Sequence, residues 1–368
     1  MTEKRYTMNK ITDILFASLR CALNGETVDT QALKSLSNSE WVEFVRLAQQ
    51  HNVIPMVCDG LAGIRKELPA NVFVKIAGLT AVAEDKYDIR VGVVKELAST
   101  MSANHIPAMI IKGYGVSLYY PQPNHRSFSD VDTYHFGRLK EADKVMQSAW
   151  GVEVDTDVHH HTTCVYRSVL IENHYDFVNT SSHNSNARFE KILKAEAEKG
   201  YRTHKIGEEE ILLPSPMFNA LFLMRHMALH YAAERVSVRH LCDWKQFVEA
   251  ESNNIDWGRV QAIYKQFNMN RFADAISAIC VDHLGMDAGL VPNIERDVNL
   301  EERILNDILY AEFDEEKPKG GLFRIVWWKT RRYFANSWKH KLIYNESVLR
   351  TFIQSSYSHL LKPKTIKH

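Results

Sequence analysis

A four-residue apolar run, Ala108 to Ile111, sets the strongest limit on how this chain can fold. It is too short for a helix, it is opened by Pro107 and it is closed by Lys112-Gly113, so it predicts a buried β-strand. Helical periodicity precedes it, most continuously from about Asn71 to Ser102, and returns from Ser215 through Gly285. The chain is therefore predicted to be helical on both sides of a mixed middle third.

The middle third predicts short strands separated by helices. A strand is expected around Asp130, a helix from Leu139 to Trp150, and strands from Cys164 to Val169 and from Leu170 to Val178, as a hairpin or one bent strand. The predicted class is α+β. Its expected parts are an N-terminal helical region (1–103), an α+β core (104–214), a C-terminal helical domain (215–316) and a tail (317–368).

Composition disfavours membrane and disulfide-rich classes. No apolar run reaches the roughly 18 residues that cross a bilayer, and the N-terminal stretch from Ile11 to Leu23 is interrupted by polar residues, so neither a transmembrane segment nor a signal peptide is predicted. The five cysteines are spread singly with no C-x-x-C pair, which favours reduced thiols. The expected location is the cytoplasm.

The net charge of zero hides an uneven distribution. Residues 317–368 hold 12 of the 45 Lys and Arg but a single acid, Glu346, so the rest of the chain carries an excess of 11 acids. Basic and aromatic side chains alternate there, as in Trp327, Trp328 and Lys329. Such a tail predicts either contact with nucleic acid or an anionic surface, or packing across the acidic remainder of the chain.

Asp130 and Asp132 are separated by one residue on a predicted strand. Successive side chains point to opposite faces of a strand, so these two carboxylates project the same way and can share one divalent cation. A third ligand is expected from the alternating segment that follows, with Glu172 as first candidate and Asp176 in reserve. Mg²⁺ prefers oxygen ligands, so Asp130, Asp132 and Glu172 are predicted to form a magnesium site suited to phosphate chemistry.

The residues before this triplet suit phosphate binding. Lys112 and Gly113 end one strand and lead into a short helix, where backbone N–H groups are free to meet phosphate oxygens and glycine permits close approach. Arg126 stands four residues before Asp130, and a guanidinium pairs well with phosphate. We therefore predict Lys112, Gly113 and Arg126 as phosphate-binding residues.

Two histidine clusters carry weaker signals. His159-His160-His161 are consecutive, so on a strand they cannot all converge, and no Cys or carboxylate stands at a usual zinc spacing. His226 and His230 lie at i and i+4 and share one helical face. Structural, surface or capping roles are the expectation for both clusters.

The ordered motif resembles the uncharacterised nucleotidyltransferase family of the polymerase β superfamily. The resemblance covers roughly residues 10 to 260 and rests on Ile111 to Pro121, Arg126, Asp130-Val131-Asp132, Glu172-Asn173-His174, and the helices that carry Arg239 and Asp243-Trp244. It implies a polymerase β-like core, a short mixed sheet flanked by helices. It also implies that Asp130 and Asp132 are the metal-binding pair, Glu172 the third carboxylate and Gly113 the glycine on the phosphate side.

The resemblance implies Mg²⁺-dependent transfer of an NMP group from an NTP to a hydroxyl acceptor, with attack at the α-phosphate. Two departures leave alternatives open. Gly113-Tyr114 stands where the superfamily has Gly-Ser or Gly-Gly, and Thr133-Tyr134-His135 is more polar than the family's strand. A catalytically inactive relative that binds a nucleotide or a partner, and a nucleic-acid-binding role for the basic tail, remain the competing interpretations.

Overall fold

The computed structural model describes residues 9–156, 160–181, 183–233, 235–311, 318, 321–344 and 346. The chain begins with helices, as predicted. Asn9 caps the first helix and Gly25, in a left-handed conformation with φ 73°, ends it, while Ser37 and Glu40 form the predicted capping box of the third. These helices are α1 Lys10–Asn24, α2 Thr30–Lys34, α3 Asn38–Gln50, α4 Ile54–Ala62 and α5 Ala70–Ala103.

A six-stranded mixed sheet forms the middle of the described chain. Its strands are β1 Met109–Ile110, β2 Asp130–Tyr134, β3 His161–Tyr166, β4 Val169–His174, β5 Tyr201–Ile206 and β6 Glu209–Pro214. Their spatial order is β3-β4-β2-β1-β6-β5. The β1 strand is antiparallel to β2 and parallel to β6, and β2 is parallel to β4. The predicted α+β class, a short mixed sheet flanked by helices, is confirmed.

The sheet contains two hairpins, of which the sequence predicted one with different bounds. Strands β3 and β4 form an antiparallel hairpin, but its turn lies at Arg167 and Ser168, inside the predicted strand Cys164 to Val169, where φ angles of 47° and 64° suit a two-residue turn. Strands β5 and β6 form a second hairpin that the sequence reading did not predict. The helices between strands are α6 Gly113–Ser117, α7 Leu139–Trp150 and α8 Asn184–Lys199.

The C-terminal part of the described chain is helical. It packs around Trp244 and Phe247, both fully buried. Its helices are α9 Pro216–Ala233, α10 Val238–Glu251, α11 Trp257–Gln266, α12 Asn270–Leu284, α13 Val298–Tyr310, α14 Leu322–Ala335 and α15 Ser337–Ile343. Among the residues described, no helix has the length and apolar character to cross a membrane.

The two faces of the sheet bury different side chains, and this decides where the acidic triplet points. Val131 and Ile171 belong to an apolar cluster with residues of α5 and α7. Tyr134 belongs to the other cluster, with α8 and α9. Because side chains alternate along a strand, Asp130 and Asp132 lie on the face away from Val131, toward the C-terminal helices.

The basic tail divides into a packed part and an exposed part. Helix α15 packs against α9 and α12, and the Lys339 ammonium lies 2.6 Å from the Asp307 carboxylate with both side chains almost fully buried. Helix α14 instead leaves Val326, Trp327 and Phe334 about half exposed. The rest of the predicted tail, 347–368, lies outside the described residues.

Candidate active site

Asp132 and Glu172 lie directly beside one another in the sheet. They are partners in the parallel register of β2 with β4, where Asp130 pairs with Leu170. Side chains at paired positions of neighbouring strands project to the same face. The register therefore brings together two of the carboxylates that the sequence predicts as metal ligands.

These two carboxylates form a compact group with a histidine. One donor atom each from Asp132, Glu172 and His174 lie within 4.8 Å of one another. The His174 Nε2 atom is 3.0 Å from Asp132 Oδ1 and 3.6 Å from Glu172 Oε2. Two carboxylates and an imidazole on one sheet face are donors that a divalent cation accepts.

Asp130 stands next to this group but outside its three members. Burial raises the pKa of Asp130, the neighbouring Asp132 and Glu172 carboxylates raise it further, and Lys112 opposes them. Asp130 also interacts with the charges of Arg90, Arg126 and Arg239. Carboxylate oxygens such as those of Asp130, Asp132 and Glu172 are the ligands that Mg²⁺ prefers.

Lys112 meets the site through Asp132. Its Nζ atom is 2.6 Å from Asp132 Oδ1, and Asp132 is 1% exposed. Burial lowers the pKa of Lys112, but the carboxylates of Asp132, Asp130 and Glu172 outweigh burial and leave the pKa above its usual value. Burial likewise raises the pKa of Asp132, but Lys112 and His174 outweigh it and hold that pKa well below its usual range. Both partners of the pair are therefore charged.

A C-terminal helix also reaches Lys112. The Nε2 atom of His226, on α9, is 3.4 Å from Lys112 Nζ and 3.2 Å from His230 Nε2. Burial, followed by the charge of Lys112, lowers the pKa of His226 well below its usual value. A neutral His226 can accept from the ammonium, so this histidine pair lies at the site rather than on a remote helical face.

Gly113 has the backbone that its position requires. Its φ is +44°, and a Cβ there would lie 3.1 Å from Phe128 Cδ2 and 3.3 Å from the Asp130 carbonyl oxygen. A side chain would both strain the backbone and press on the residues that lead into β2. Glycine at this position lets the Lys112 loop lie close against the strand that carries the acidic pair.

Arg126, predicted to contact phosphate, forms an ion pair within the protein. Its Nε and Nη2 atoms donate to the Asp243 carboxylate at 2.9 and 2.7 Å, and its Nη1 donates to the Gly113 carbonyl at 3.2 Å. Its side chain is 6% exposed. Tyr120 donates to the same carboxylate at 2.7 Å. Arg126 therefore holds the Gly113 loop to helix α10, with three of its five N–H groups donating to Asp243 and Gly113.

Arg239 is a further candidate for binding phosphate. In the sequence, only the family resemblance pointed to it. Its Nη1 atom is 3.5 Å from Asp243 Oδ2 and 3.4 Å from the Ser127 carbonyl oxygen. Its Nε is buried without a hydrogen-bond partner among the described residues. Arg126 and Arg239 share the single carboxylate of Asp243, so one positive charge is left over. This charge lies near Asp130, whose negative charge acts to raise the pKa of both arginines.

The reserve carboxylate lies apart from the donor group. Asp176 Oδ1 is 2.5 Å from the Lys194 ammonium on α8. Asp176 follows the end of β4, so the strand alternation that aligns Glu172 and His174 no longer orients it. Between the two alternatives that the sequence left open, Glu172 is the one beside Asp132.

The histidine run contributes in a way that sequence spacing did not indicate. His161 is the register partner of His174 across the β3–β4 hairpin, and donor atoms of His160, His161 and His174 lie within 4.8 Å of one another. Burial lowers the pKa of His160 to about 2 and that of His161 to about 4. His159 lies outside the described residues. A two-residue turn at Arg167-Ser168, if recognised in the sequence, predicts that His161 and His174 are partners across the hairpin.

The family that the motifs resemble is also the one whose model matches the chain. A family model described as uncharacterised nucleotidyltransferase matches residues 37–285. No curated protein matches the chain. Among solved structures, the crystal structure of an antigenic nucleotidyltransferase-like protein from Paracoccidioides brasiliensis matches with 16% sequence identity and a TM-score of 0.32, over 45% of this chain and 77% of that one.

Proposed function

The chain belongs to the uncharacterised nucleotidyltransferase family, and from this premise we propose that it moves an NMP group from an NTP to an acceptor hydroxyl. The observation that carries the proposal is the pairing of Asp132 with Glu172 in the β2–β4 register, on the sheet face that also receives Lys112. In this reaction the acceptor oxygen bonds to the α-phosphorus, the bond from that phosphorus to the bridging oxygen breaks, and pyrophosphate leaves.

Asp132 and Glu172, with Asp130 beside them, are the residues proposed to hold a divalent metal ion, Mg²⁺ by the family expectation. When bound, such an ion neutralises phosphate charge and makes the acceptor hydroxyl more acidic. Glu172 is our candidate to accept the hydroxyl proton, because its side chain is 17% exposed whereas that of Asp132 is 1% exposed. A base has to reach the acceptor.

Positive charge for the phosphates comes from two directions. Lys112 lies against Asp132 on one side, and Arg239 lies near Asp130 on the other. Arg239 joins Arg126 as a candidate phosphate contact, since three of the five N–H groups of Arg126 donate to Asp243 and Gly113. Arg126 and Gly113 then act by shaping the loop that the phosphates approach.

The test is pyrophosphate release from each labelled NTP, with Mg²⁺ or Mn²⁺ and a panel of sugar, protein and RNA acceptors. We expect Asp132→Asn to lower the rate at least about 100-fold, since it removes charge stabilisation at the reacting phosphate. Asp176→Asn is the matched control, because its carboxylate pairs with Lys194 outside the donor group. An Asp132→Asn rate equal to that of wild type would reject the site.

A second candidate function is nucleotide binding without turnover. It is favoured by one observation, that Lys112 and His174 both contact Oδ1 of Asp132, so this oxygen already has two partners within the protein. Calorimetry separates the two candidates. A binding module takes up NTP with little dependence on divalent metal and releases no pyrophosphate, whereas the transferase binds NTP weakly until metal is added.

A further inference from the structure

His174 joins two groups of metal-competent donors. One contains Asp132 and Glu172, the other contains His160 and His161, and within each group the donor atoms lie within 4.8 Å of one another. The His174 side chain is 1% exposed. A single buried imidazole thus links a pair of carboxylates to a pair of imidazoles on one face of the sheet.

A hydrogen bond at one nitrogen of His174 leaves the other nitrogen facing the carboxylates. Its Nδ1 atom is 3.1 Å from the Asp176 carbonyl oxygen, which only accepts, so Nδ1 carries a hydrogen. The other nitrogen, Nε2, lies 3.0 Å from Asp132 Oδ1. At this distance Nε2 either donates a proton to the carboxylate or, in the neutral ring, offers its lone pair to a metal ion that the carboxylate also binds. Metal-binding histidines are oriented by this kind of bond at the opposite nitrogen.

The neighbouring histidines have donor atoms without protein partners. Among the described residues, Nδ1 of His160 and Nδ1 of His161 are buried and make no hydrogen bond. The His161 ring centroid is 4.4 Å from that of His160 and 5.0 Å from that of His174, and its Nε2 is 3.7 Å from Glu172 Oε1. Leaving buried polar atoms unsatisfied is costly, and coordination of a cation is one way to satisfy them.

We propose that this site takes a transition-metal dication, with Mn²⁺ and Zn²⁺ as the fitting ions, in preference to Mg²⁺. Its ligands are His174 Nε2, an imidazole nitrogen from His161 or His160, and carboxylate oxygens of Asp132 and Glu172. Imidazole nitrogen suits Zn²⁺ in particular, Mn²⁺ is the weakest-bound of the divalent first-row ions, and Mg²⁺ is bound by oxygen ligands. The inference deepens the proposed function and rests on it for the role of the ion, because it names the metal class of the same site.

The first test is isothermal titration of the metal-free protein with MnCl₂ and, separately, with MgCl₂. We expect Mn²⁺ to bind at least about tenfold more tightly than Mg²⁺, and His174→Gln to lose most of that preference. His105→Asn is the control, since His105 is exposed, lies outside both donor groups, and has a φ of 56° that asparagine tolerates. Equal affinity for the two ions in wild type overturns the proposal.

The second test needs no variant, so it holds even if His174→Gln fails to fold. Electron spin echo modulation of Mn²⁺ bound to the wild-type protein should report a directly coordinated imidazole nitrogen. Bound Mn²⁺ with no nitrogen coupling overturns the proposal. His161→Gln, at the edge of the group, should keep the coupling from His174 while weakening Mn²⁺ affinity.

The pyrophosphate assay separates this inference from the proposed function. Nitrogen-coupled Mn²⁺ binding without pyrophosphate release from any NTP leaves the metal site standing and rejects the transfer reaction. Pyrophosphate release that Mg²⁺ supports as well as Mn²⁺, with no nitrogen signal, leaves the transfer reaction standing and rejects the metal class.

Discussion

Arg126 and Asp243, 117 positions apart in the chain, form a two-armed buried ion pair with donor distances of 2.9 and 2.7 Å. Tyr120 and Arg239 share the same carboxylate. The pair connects helix α10 to the loop before β2, and through the Gly113 carbonyl to the Lys112 loop. Elements that a reader of the sequence sees as separate motifs are thereby one contact network.

Asp243→Ala should destabilise the protein by about 3–5 kcal/mol, because it leaves the Arg126 charge buried and unpaired. Urea unfolding followed by circular dichroism measures the loss. Asp282→Ala removes a comparable partner from Arg296, but both of those side chains are more than 40% exposed, so its cost should stay under about 1 kcal/mol. Equal costs for the two variants would contradict the assigned role of Asp243.

Gly113→Ala should cost more stability than the left-handed backbone alone explains. The matched control is Gly137→Ala, since Gly137 has φ +82° with open space around its Cβ position, whereas a Cβ on Gly113 meets Phe128 at 3.1 Å. The control should lose about 1–2 kcal/mol for the backbone conformation. Gly113→Ala should lose more unfolding free energy than the control and should also bind NTP more weakly. A smaller loss of unfolding free energy than in the control would refute the close-packing argument.

His125 should make stability depend on pH near neutrality. Its ring nitrogens lie 2.6 Å from Asp59 and 2.8 Å from Glu84. Burial lowers the pKa of His125, but these carboxylates outweigh burial and raise it above its usual value. With the folded-state pKa raised, the stabilisation is complete below the unfolded pKa of about 6.5 and is lost as pH rises through the folded pKa.

Wild type should therefore exceed His125→Gln in unfolding free energy by more at pH 5.5 than at pH 8.5. Denaturant unfolding at both pH values gives the difference directly. An advantage that grows toward alkaline pH would have the wrong sign for this ion cluster.

The exposed face of α14 is where the nucleic-acid interpretation of the tail can be tested. Arg324 and Arg331 are exposed near Trp327, whereas α15 packs into the body. If the tail binds RNA or DNA, the double variant Arg324→Glu with Arg331→Glu should bind more weakly. The slope of the logarithm of the binding constant against the logarithm of salt concentration should also become less negative by about 2. Fluorescence anisotropy at several salt concentrations measures both. An unchanged slope would leave packing as the role of the tail.

Sequence reasoning reached the local part of this architecture. The α3 capping box, the end of α1 at Gly25 and the bounds of α7 follow from local chemistry, which is why they were predictable. Hairpin β5–β6 was missed because its outer strand alternates exposed polar residues, as in Tyr201 to Lys205, and shows no apolar run. An edge strand of this kind resembles a loop in the sequence.

The site was predictable only in part for a physical reason. Asp130, Asp132 and Glu172 are marked by alternation along single strands, which a sequence displays. The burial of Arg126 on Asp243 and the meeting of His161 with His174 depend on pairing between distant segments. Spacing along the chain carries no information about such pairing, so these contacts appear only in three dimensions.

The tight turn at Arg167-Ser168 places a condition on how strand β4 can change in length. Val169 and Ile171 must keep facing α5 and α7. Inserting one residue just before Glu172 would therefore turn the Glu172 side chain to the opposite face of the sheet and place the inserted residue beside Asp132. Inserting two residues would return Glu172 to the face of Asp132 but move it two positions along the strand. Relatives with a single insertion there should therefore be read as having lost the acidic pair, even where both acids remain in their sequence.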